Sequence, residues 1–254
     1  MFNNLLSELP SILISLPMVL LSLSVHEAAH AYAAHKLGDD TAMNMGRLTL
    51  NPLKHIHPIG FLSMLFFRVG WANPVPISTR NFKNPRRDMA ISSAAGPASN
   101  LCLALILTVL LRLLMIPISS MLDGLYYVAT DGMIYFDPSI EENPTFLVLS
   151  ILALMLYLGI GLNLNLMLFN LIPLPPLDGS RVAYIFLPTD LYFKIMQYER
   201  YIMIAFIVLL ATDIIDLPLS LLSGGIQDFF FLITGMPENE LSLSLYQIIS
   251  RFQF

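Results

Sequence analysis

An apolar stretch near the start of the chain, about residues 9–35, contains only one formally charged side chain, that of Glu27. A helix needs about 20 predominantly apolar residues to cross a bilayer, and the stretches at about 89–122, 146–172 and 201–223 are also long enough. Apolar residues make up 56% of the chain and charged residues 12%, against roughly 45–50% and 25% in soluble domains. The sequence therefore predicts an all-α polytopic membrane protein with about four transmembrane helices.

Shorter apolar segments predict re-entrant or interfacial structure between and after these helices. Residues 226–234 are too short to cross alone, and we expect them at an interface. Residues 59–69 predict a re-entrant hairpin or an edge strand, and a strand there could hold an extended peptide by β-addition. We interpret residues 1–254 as one membrane-embedded domain with its core at about 9–200. Residues 201–254 then supply an additional helix and a C-terminal interfacial segment.

The sequence argues against a cleavable signal peptide, an intrachain disulfide and nucleic-acid binding. A cleavable signal peptide begins with a basic region and has a short apolar stretch. The chain has no basic region at its start, and the apolar stretch 9–35 is too long, so we do not expect a signal peptide. The only cysteine, Cys102, lies in an apolar run, so no intrachain disulfide is expected and packing is its default role. Nucleic-acid binding is not expected, because the sequence has no folded basic face with interleaved aromatic residues.

The distribution of basic residues predicts the orientation in the membrane. Residues 36–88 contain eight Lys and Arg residues and residues 173–200 contain three, whereas residues 123–145 contain none. Cytoplasmic loops carry the excess of Lys and Arg, so we place the first two segments in the cytoplasm and the third outside. The predicted location is a cell membrane, with the prokaryotic plasma membrane as our expectation.

The first apolar stretch contains His26-Glu27-Ala28-Ala29-His30. On a helix, two histidines four residues apart lie one turn apart on one face, where both can reach a single Zn²⁺. The Glu between them is then a potential general base beside the metal. The alternative is a pair of buried histidines bonded to carbonyl groups. Because ionisable groups at membrane depth are costly and rarely kept without a function, we favour the metal site.

A second polar group of residues closes the third apolar stretch. Asn163 and Asn170 lie seven residues apart on one helical face, and Pro173, Pro175 and Pro176 then prevent the helix from continuing. Broken backbone at membrane depth is tolerated where it is buried or lines a cavity. The break would present Asp178 as a suitable third zinc ligand, with Gly179 permitting a sharp turn. An ordinary cytoplasmic turn is the alternative interpretation.

These motifs resemble those of the site-2 proteases, zinc metalloproteases of peptidase family M50 that cut substrates within the membrane. The likeness covers about residues 20–185, and its blocks occur in the family's order. The blocks are His26-Glu27-Ala28-Ala29-His30, Asn51-Pro52-Leu53-Lys54-His55, Gly70-Trp71-Ala72-Asn73-Pro74-Val75-Pro76, Asn84-Pro85-Arg86-Arg87-Asp88-Met89, Ala95-Gly96-Pro97-Ala98-Ser99-Asn100 and Asn170-Leu171-Ile172-Pro173-Leu174-Pro175-Pro176-Leu177-Asp178-Gly179.

The resemblance is to the compact subgroup without PDZ or CBS domains, and it implies a zinc-dependent endopeptidase. In this family, zinc would be held by His26, His30 and Asp178, with Glu27 as the base. Asn170 would help to bind the substrate or the oxyanion. The implied zinc site lies within the membrane near the cytoplasmic face. The implied substrates are single-pass membrane proteins or signal-peptide remnants in the lipid bilayer, and no nucleic acid is expected.

The chain departs from the family at His57, where members more often have Asp. We expect structural hydrogen bonding from His55 and His57, because two histidines and one Asp already complete a catalytic site. His35 lies off the ligand face and is expected to be a polar residue at the helix end.

A non-catalytic membrane scaffold or a transporter is the alternative function. Transport predicts paired broken helices in two related halves, and no second half resembles the first. A scaffold without activity predicts that a ligand or the base has been lost. All four groups, His26, Glu27, His30 and Asp178, are present, so zinc-dependent proteolysis is our preferred interpretation.

Overall fold

The computed structural model describes most of the chain, including all the residues proposed for the site. The described residues are 2–57, 59–60, 73–123, 126–128, 134–188, 191, 194–195, 197–210, 212, 214–237 and 241–245. The predicted hairpin or edge strand at 59–69 lies almost wholly outside this set, so it stays a prediction.

The described chain is almost entirely helical. Its helices are α1 (Phe2–Lys36), α2 (Thr41–Asn44), α3 (Pro85–Leu122), α4 (Pro138–Glu141), α5 (Pro144–Leu171), α6 (Asp178–Ala183), α7 (Glu199–Leu210) and α8 (Asp216–Thr234). Short 3₁₀ helices occur at Pro52–Lys54, Thr79–Asn81 and Tyr184–Phe186.

Two of the long helices begin in the same way, with Asn before Pro. In α5 the Asn143 side chain accepts hydrogen bonds from the N–H groups of Thr145 and Phe146. In α3 the Asp88 carboxylate accepts the N–H of Asn84, the residue before the helix. Pro is well suited to the first helical position, because its missing N–H would have no partner within the helix. The sequence thus specifies where both helices start.

Four helices of the described chain are long and apolar enough to cross a membrane: Ile12–Lys36, Pro85–Leu122, Pro144–Leu171 and Asp216–Thr234. This confirms the prediction of an all-helical membrane protein with about four spanning helices, and the first three lie where they were expected.

The fourth span differs from its prediction. The expected span at 201–223 is divided, since α7 ends at Leu210 and α8 begins at Asp216. Residues 226–234, which were expected to lie at an interface, form the second half of the spanning helix α8. Pro218 suits the first turn of α8, because a proline there gives up no helical N–H bond and its ring meets no carbonyl of a preceding turn. A proline alone does not end a helix in this chain, since Pro97 and Pro117 lie inside α3.

The chain forms two compact units, and all the predicted site residues belong to the unit made of residues 19–103 and 161–226. In this unit Ala31 of α1, Ala42 of α2 and Val75 form a buried apolar cluster, against which Leu48 packs. Asn163 of α5 donates a hydrogen bond to the Ser22 hydroxyl over 2.8 Å. Small and polar residues are typical of tight helix contacts in membrane proteins.

The other unit comprises residues 1–18, 104–160 and 227–254. Its buried side chains include the large apolar residues Leu111, Met115 and Ile118. This unit also contains a short antiparallel pair of strands, β1 (Tyr126–Val128) and β2 (Ile134–Phe136). The sequence analysis did not predict this hairpin in the acidic segment between the second and third spanning helices.

Candidate metal centre

The side chains of His26, His30 and Asp178 converge on one point. The two Nε2 atoms lie 3.0 Å apart. Oδ2 of Asp178 lies 3.1 Å from Nε2 of His26 and 3.2 Å from Nε2 of His30. These distances make a nearly equilateral triangle of possible ligand atoms, which brings together His26 and Asp178 from positions 152 residues apart.

Two local features of the chain bring the three residues together. His26 and His30 lie one turn apart on α1, and both are buried. Asp178 is the first residue of α6, which follows the proline-rich break after α5. Because the break reverses the local course of the chain, the side chain at the start of α6 reaches the histidine pair.

The hydrogen bond at the far side of His30 selects the form of the ring that can bind a metal. His30 Nδ1 lies 2.7 Å from the carbonyl oxygen of Ser92 in α3. A carbonyl oxygen only accepts, so Nδ1 carries the proton and donates it. In the neutral ring, Nε2 then has a free lone pair that points at Asp178 and His26. Such a second hydrogen bond is typical of metal-binding histidines.

The triangle fits Zn²⁺ in size and in chemistry. With Zn–N bonds of about 2.0–2.1 Å, two ligand atoms of a tetrahedral centre lie about 3.3 Å apart, close to the observed edges. Without a cation, the lone pair of His30 Nε2 would face the Asp178 carboxylate at 3.2 Å. Two histidines and one carboxylate leave a fourth position for water or substrate, as catalytic zinc sites require.

Glu27 lies in the same cavity as the triad, and a backbone group holds its carboxylate. The N–H of Val75 donates to Glu27 Oε2 over 2.8 Å. The cavity has a volume of about 190 Å³. It is lined by His26, Glu27, His30, Pro74, Val75, Ile77, Ser93, Asn170, Pro176, Asp178 and Arg181. A water and a peptide group could meet the carboxylate and the metal ligands in this space.

Gly179 has a different role from the one expected. It lies inside helix α6 rather than in a sharp turn. A Cβ at this position would be 2.3 Å from the carbonyl oxygen of Leu171 and 2.6 Å from that of Ile172. The absence of a side chain therefore allows the start of α6 to approach the end of α5, which fixes the position of Asp178.

The two asparagines of α5 have separate environments. Asn170 lines the cavity, and its Nδ2 donates to the carbonyl oxygen of Leu166 over 2.9 Å. Asn163 is fully buried and bonds to Ser22 instead. Of the pair that was expected to share a face, Asn170 is the one that reaches the cavity.

The remaining histidines have hydrogen bonds that suit a structural role. His55 is buried, and its Nε2 donates to the carbonyl oxygen of Thr49 over 2.8 Å. His57 Nδ1 accepts the N–H of Gly60. His35, in the last turn of α1, pairs with the Asp40 carboxylate. Among the described residues, the metal-ligand cluster is formed by His26, His30 and Asp178.

Sequence analysis missed the residues that hold the site from outside. The N–H of Val75 and the carbonyl of Ser92 are backbone groups, so neither side chain indicates the contact, although Val75 lies within one of the blocks of the family resemblance. Arg181 lines the cavity one turn after Asp178. Arg86 of α3 donates to the carbonyl oxygens of Tyr184 and Leu187, beyond the end of α6. Arg86 lies within the block Asn84-Pro85-Arg86-Arg87-Asp88-Met89, but neither that block nor the excess of basic residues in these segments indicates what the two arginines contact.

Comparison with known proteins finds one family and several relatives to which the chain is similar. The model of the family described as Peptidase family M50 matches residues 14–210. A protein of Bacillus subtilis strain 168 named "Putative zinc metalloprotease YwhC" is 40% identical over 209 residues, which are 82% of this chain and 84% of that protein.

Two mycobacterial proteins are also similar. "Putative zinc metalloprotease Rip2" of Mycobacterium tuberculosis strain H37Rv is 33% identical over 167 residues, and the protein of the same name from Mycolicibacterium smegmatis is 31% identical over 164 residues. Each match covers 63% of this chain and 52% of the relative, so the chain spans about half the length of these two proteins. No solved structure matches the chain.

Proposed function

Because the chain belongs to peptidase family M50 and is a zinc metalloprotease with several candidate membrane-spanning helices, we propose that it cuts membrane-spanning proteins within the bilayer, near the cytoplasmic face. Its zinc ligands are His26, His30 and Asp178, and its general base is Glu27.

The observation that carries this proposal is the meeting of four groups in one cavity. The triangle of His26, His30 and Asp178 has edges of 3.0–3.2 Å, and Glu27 lines the same cavity. His26, Glu27 and His30 belong to a helix that is apolar enough to span a membrane. Three polar groups at that depth are costly unless they serve a function. The placement therefore supports hydrolysis inside the membrane.

The chemistry follows from the positions of the side chains. When bound, Zn²⁺ supplies Lewis acidity, which makes water more acidic and polarises a carbonyl group. Glu27 takes a proton from the attacking water and delivers it to the leaving amine. The N–H of Val75 occupies Oε2 of Glu27, so Oε1 is the oxygen left for the proton. Asn170 lines the cavity and retains a second N–H, which can bind the substrate carbonyl or the developing oxyanion.

The substrates that we propose are single-pass membrane proteins and signal-peptide remnants. In a helix the carbonyl groups are already hydrogen-bonded, so cleavage requires local unwinding. Gly, Pro or polar residues near the cytoplasmic end of a substrate helix would make that unwinding easier.

The orientation that we propose places the basic segments 36–88 and 173–200 on the cytoplasmic side of a prokaryotic plasma membrane. His26 and His30 lie in the second half of the first spanning helix, and Asp178 follows the end of the third. Both therefore approach the face where the basic segments lie. We propose that residues 1–254 act as one membrane-embedded catalytic domain.

A trapping experiment tests this function. Glu27→Gln should retain zinc and lose cleavage, since Gln keeps an oxygen that can accept the N–H of Val75 but cannot take a proton from water. Membrane proteins that co-purify with Glu27→Gln are candidate substrates, and each is then reconstituted with the wild type. His26→Ala is the matched comparison, because it should lose zinc and activity together. Cleavage by Glu27→Gln at a rate near that of the wild type would refute the proposed base.

A further inference from the structure

An extended segment, Asn73–Ser78, runs beside the proposed base; we call it the strap. Its first residue is fixed on both sides of its backbone. The N–H of Asn73 donates to the carbonyl oxygen of His55 over 2.6 Å. The carbonyl oxygen of Asn73 accepts a hydrogen bond of 2.5 Å from Nη2 of Arg47. Hydrogen bonds with His55 and Arg47 therefore fix the start of the strap.

The middle of the strap contacts the catalytic helix through both the backbone and the side chain of Val75. The N–H of Val75 donates to Glu27 Oε2. Its side chain is buried with Ala31, which lies one turn beyond Glu27 on α1. Pro74 and Pro76 have no N–H group, so Val75 is the one residue in this part of the strap that can hold the carboxylate.

The end of the strap is fixed by Asp39, which is fully buried. Oδ2 of Asp39 accepts the N–H of Ser78 over 2.6 Å. Oδ1 accepts Nδ2 of Asn81 over 2.7 Å and both the N–H and the hydroxyl of Thr41. Asp39 thus receives hydrogen bonds from the strap, from the 3₁₀ helix after it and from the start of α2.

From these contacts we infer that Asp39 is a positioning residue for Glu27. Asp39 and the Asn73 contacts fix the two ends of the strap, and the strap holds the Glu27 carboxylate through the N–H of Val75. The inference rests on the proposed role of Glu27 as the base. It adds to the motif His26-Glu27-Ala28-Ala29-His30 a requirement for an acidic residue nine positions after the second histidine.

A carboxylate is needed at position 39 because all its neighbours donate. Its two oxygens face the N–H of Ser78, the amide of Asn81 and the two donors of Thr41. Asn at this position would replace one acceptor oxygen by an NH₂ group and leave a buried donor facing another donor. Ala would remove both acceptors. We therefore expect Asp39→Ala to weaken the hold on the strap more than Asp39→Asn does.

The neighbouring residue provides a matched control. Asp40 is exposed and pairs with His35 at the end of α1, with no contact to the strap among the described residues. Asp40→Asn makes the same change of charge as Asp39→Asn, one position away. Any effect of net charge or of general polarity should be equal in the two variants.

Hydrogen exchange at one amide measures the link directly. Between residues 74 and 76 only Val75 has an exchangeable N–H, because the other two residues are prolines. In the full-length protein in detergent, Asp39→Ala should accelerate exchange at Val75 by about tenfold or more, and Asp40→Asn should match the wild type. Glu27→Ala removes the acceptor of the Val75 N–H, so its exchange rate at Val75 is the upper limit for the Asp39 variants. Unchanged exchange at Val75 in Asp39→Ala would overturn the inference.

Kinetics then separate positioning from folding and from metal binding. With a reconstituted membrane substrate, Asp39→Asn and Asp39→Ala should lower kcat by about 10- to 100-fold, with much smaller changes in KM. Zinc content and the visible spectrum of the cobalt-substituted protein should not change, because His26, His30 and Asp178 stay in place. If Asp39→Ala does not fold, Asp39→Asn carries the test. A kcat within about twofold of Asp40→Asn would overturn the inference.

The two proposals fail in different ways. If zinc-loaded wild type cuts no membrane substrate that its trapping variant captures, the proposed function is wrong. If the wild type cuts and Glu27→Gln does not, while the Asp39 variants match Asp40→Asn in kcat and in exchange at Val75, only the positioning role is wrong.

Discussion

Gly96 lies against the ring of His30 so closely that a Cβ added at Gly96 would be 2.4 Å from His30 Nε2. The same Cβ would be 2.6 Å from Cε1 of His26. Real atoms do not approach to these distances, so α3 can pass the metal-binding face of α1 only because residue 96 has no side chain. The absence of a side chain at Gly96 therefore makes room for the candidate zinc site.

Gly96→Ala should therefore lose zinc and activity while the chain still inserts in the membrane. Two imidazole rings would have to move, and overpacking of this kind costs about 1–3 kcal/mol. Metal analysis of the purified variant and cleavage of a membrane substrate are the measurements. Gly224→Ala is the matched control, because it makes the same change in α8 where nothing lies within 4 Å. Full zinc content in Gly96→Ala would show that the rings can move aside.

Asp178→Ala should lower both zinc affinity and activity by more than about 100-fold, since two histidines alone leave the metal under-coordinated. The measurement is zinc content after dialysis against a weak chelator. His57→Ala is the control, because His57 bonds to Gly60 and lies outside the metal-ligand cluster. If His57→Ala lost zinc and Asp178→Ala kept it, the third ligand would have been assigned to the wrong residue.

The sequence predicted the parts of the site that depend on local spacing and on unusual placement. His26 and His30 share a helix face because they are four residues apart, and Asp178 stood out because prolines end the helix before it. Spacing does not reveal contacts between distant segments. The strap binds Glu27 through the backbone N–H of Val75 and binds Asp39 through the backbone N–H of Ser78. Because the donors are backbone groups, the side chains of Val75 and Ser78 do not indicate these contacts.

Hydropathy predicted the first three spans and misplaced the fourth for one physical reason. The stretch 201–223 is long and apolar enough to span, but length and composition do not show where one helix ends and the next begins. Pro218 and the carboxylate of Asp216 suit the first turn of a helix, and the structure starts α8 at Asp216.

Asp39 should make the stability of the protein depend on pH in acid. Burial alone raises its pKa, but hydrogen bonds from Thr41, Asn81 and Ser78 outweigh burial and hold the pKa below its usual value of 3.8. A lowered pKa means that Asp39 stabilises the folded state above about pH 4, and that this contribution is lost as pH falls through the pKa of the folded protein.

Thermal unfolding in detergent tests this dependence on zinc-free protein, so that metal loss in acid does not contribute. At neutral pH Asp39→Asn should unfold more easily than the wild type, by about 1.5–3 kcal/mol, and the difference should shrink as pH falls below about 4. Asp40→Asn should follow the wild type throughout. A difference between Asp39→Asn and the wild type that stays constant down to pH 2 would contradict the assignment.

The segment between the second and third spanning helices should face the outside of the cell. It carries no Lys or Arg, whereas residues 72–88 carry four, and cytoplasmic loops carry the excess of basic residues. Ser139 is exposed, and its N–H donates to Asp137, so a cysteine there keeps this backbone hydrogen bond.

In a Cys102→Ser background, a membrane-impermeant maleimide should label Ser139→Cys in intact cells. It should label Lys83→Cys, which is also at an exposed position, only after the cells are permeabilised. If Ser139→Cys reacted only from the cytoplasmic side, the orientation would be reversed, and the metal centre would then lie near the outer face.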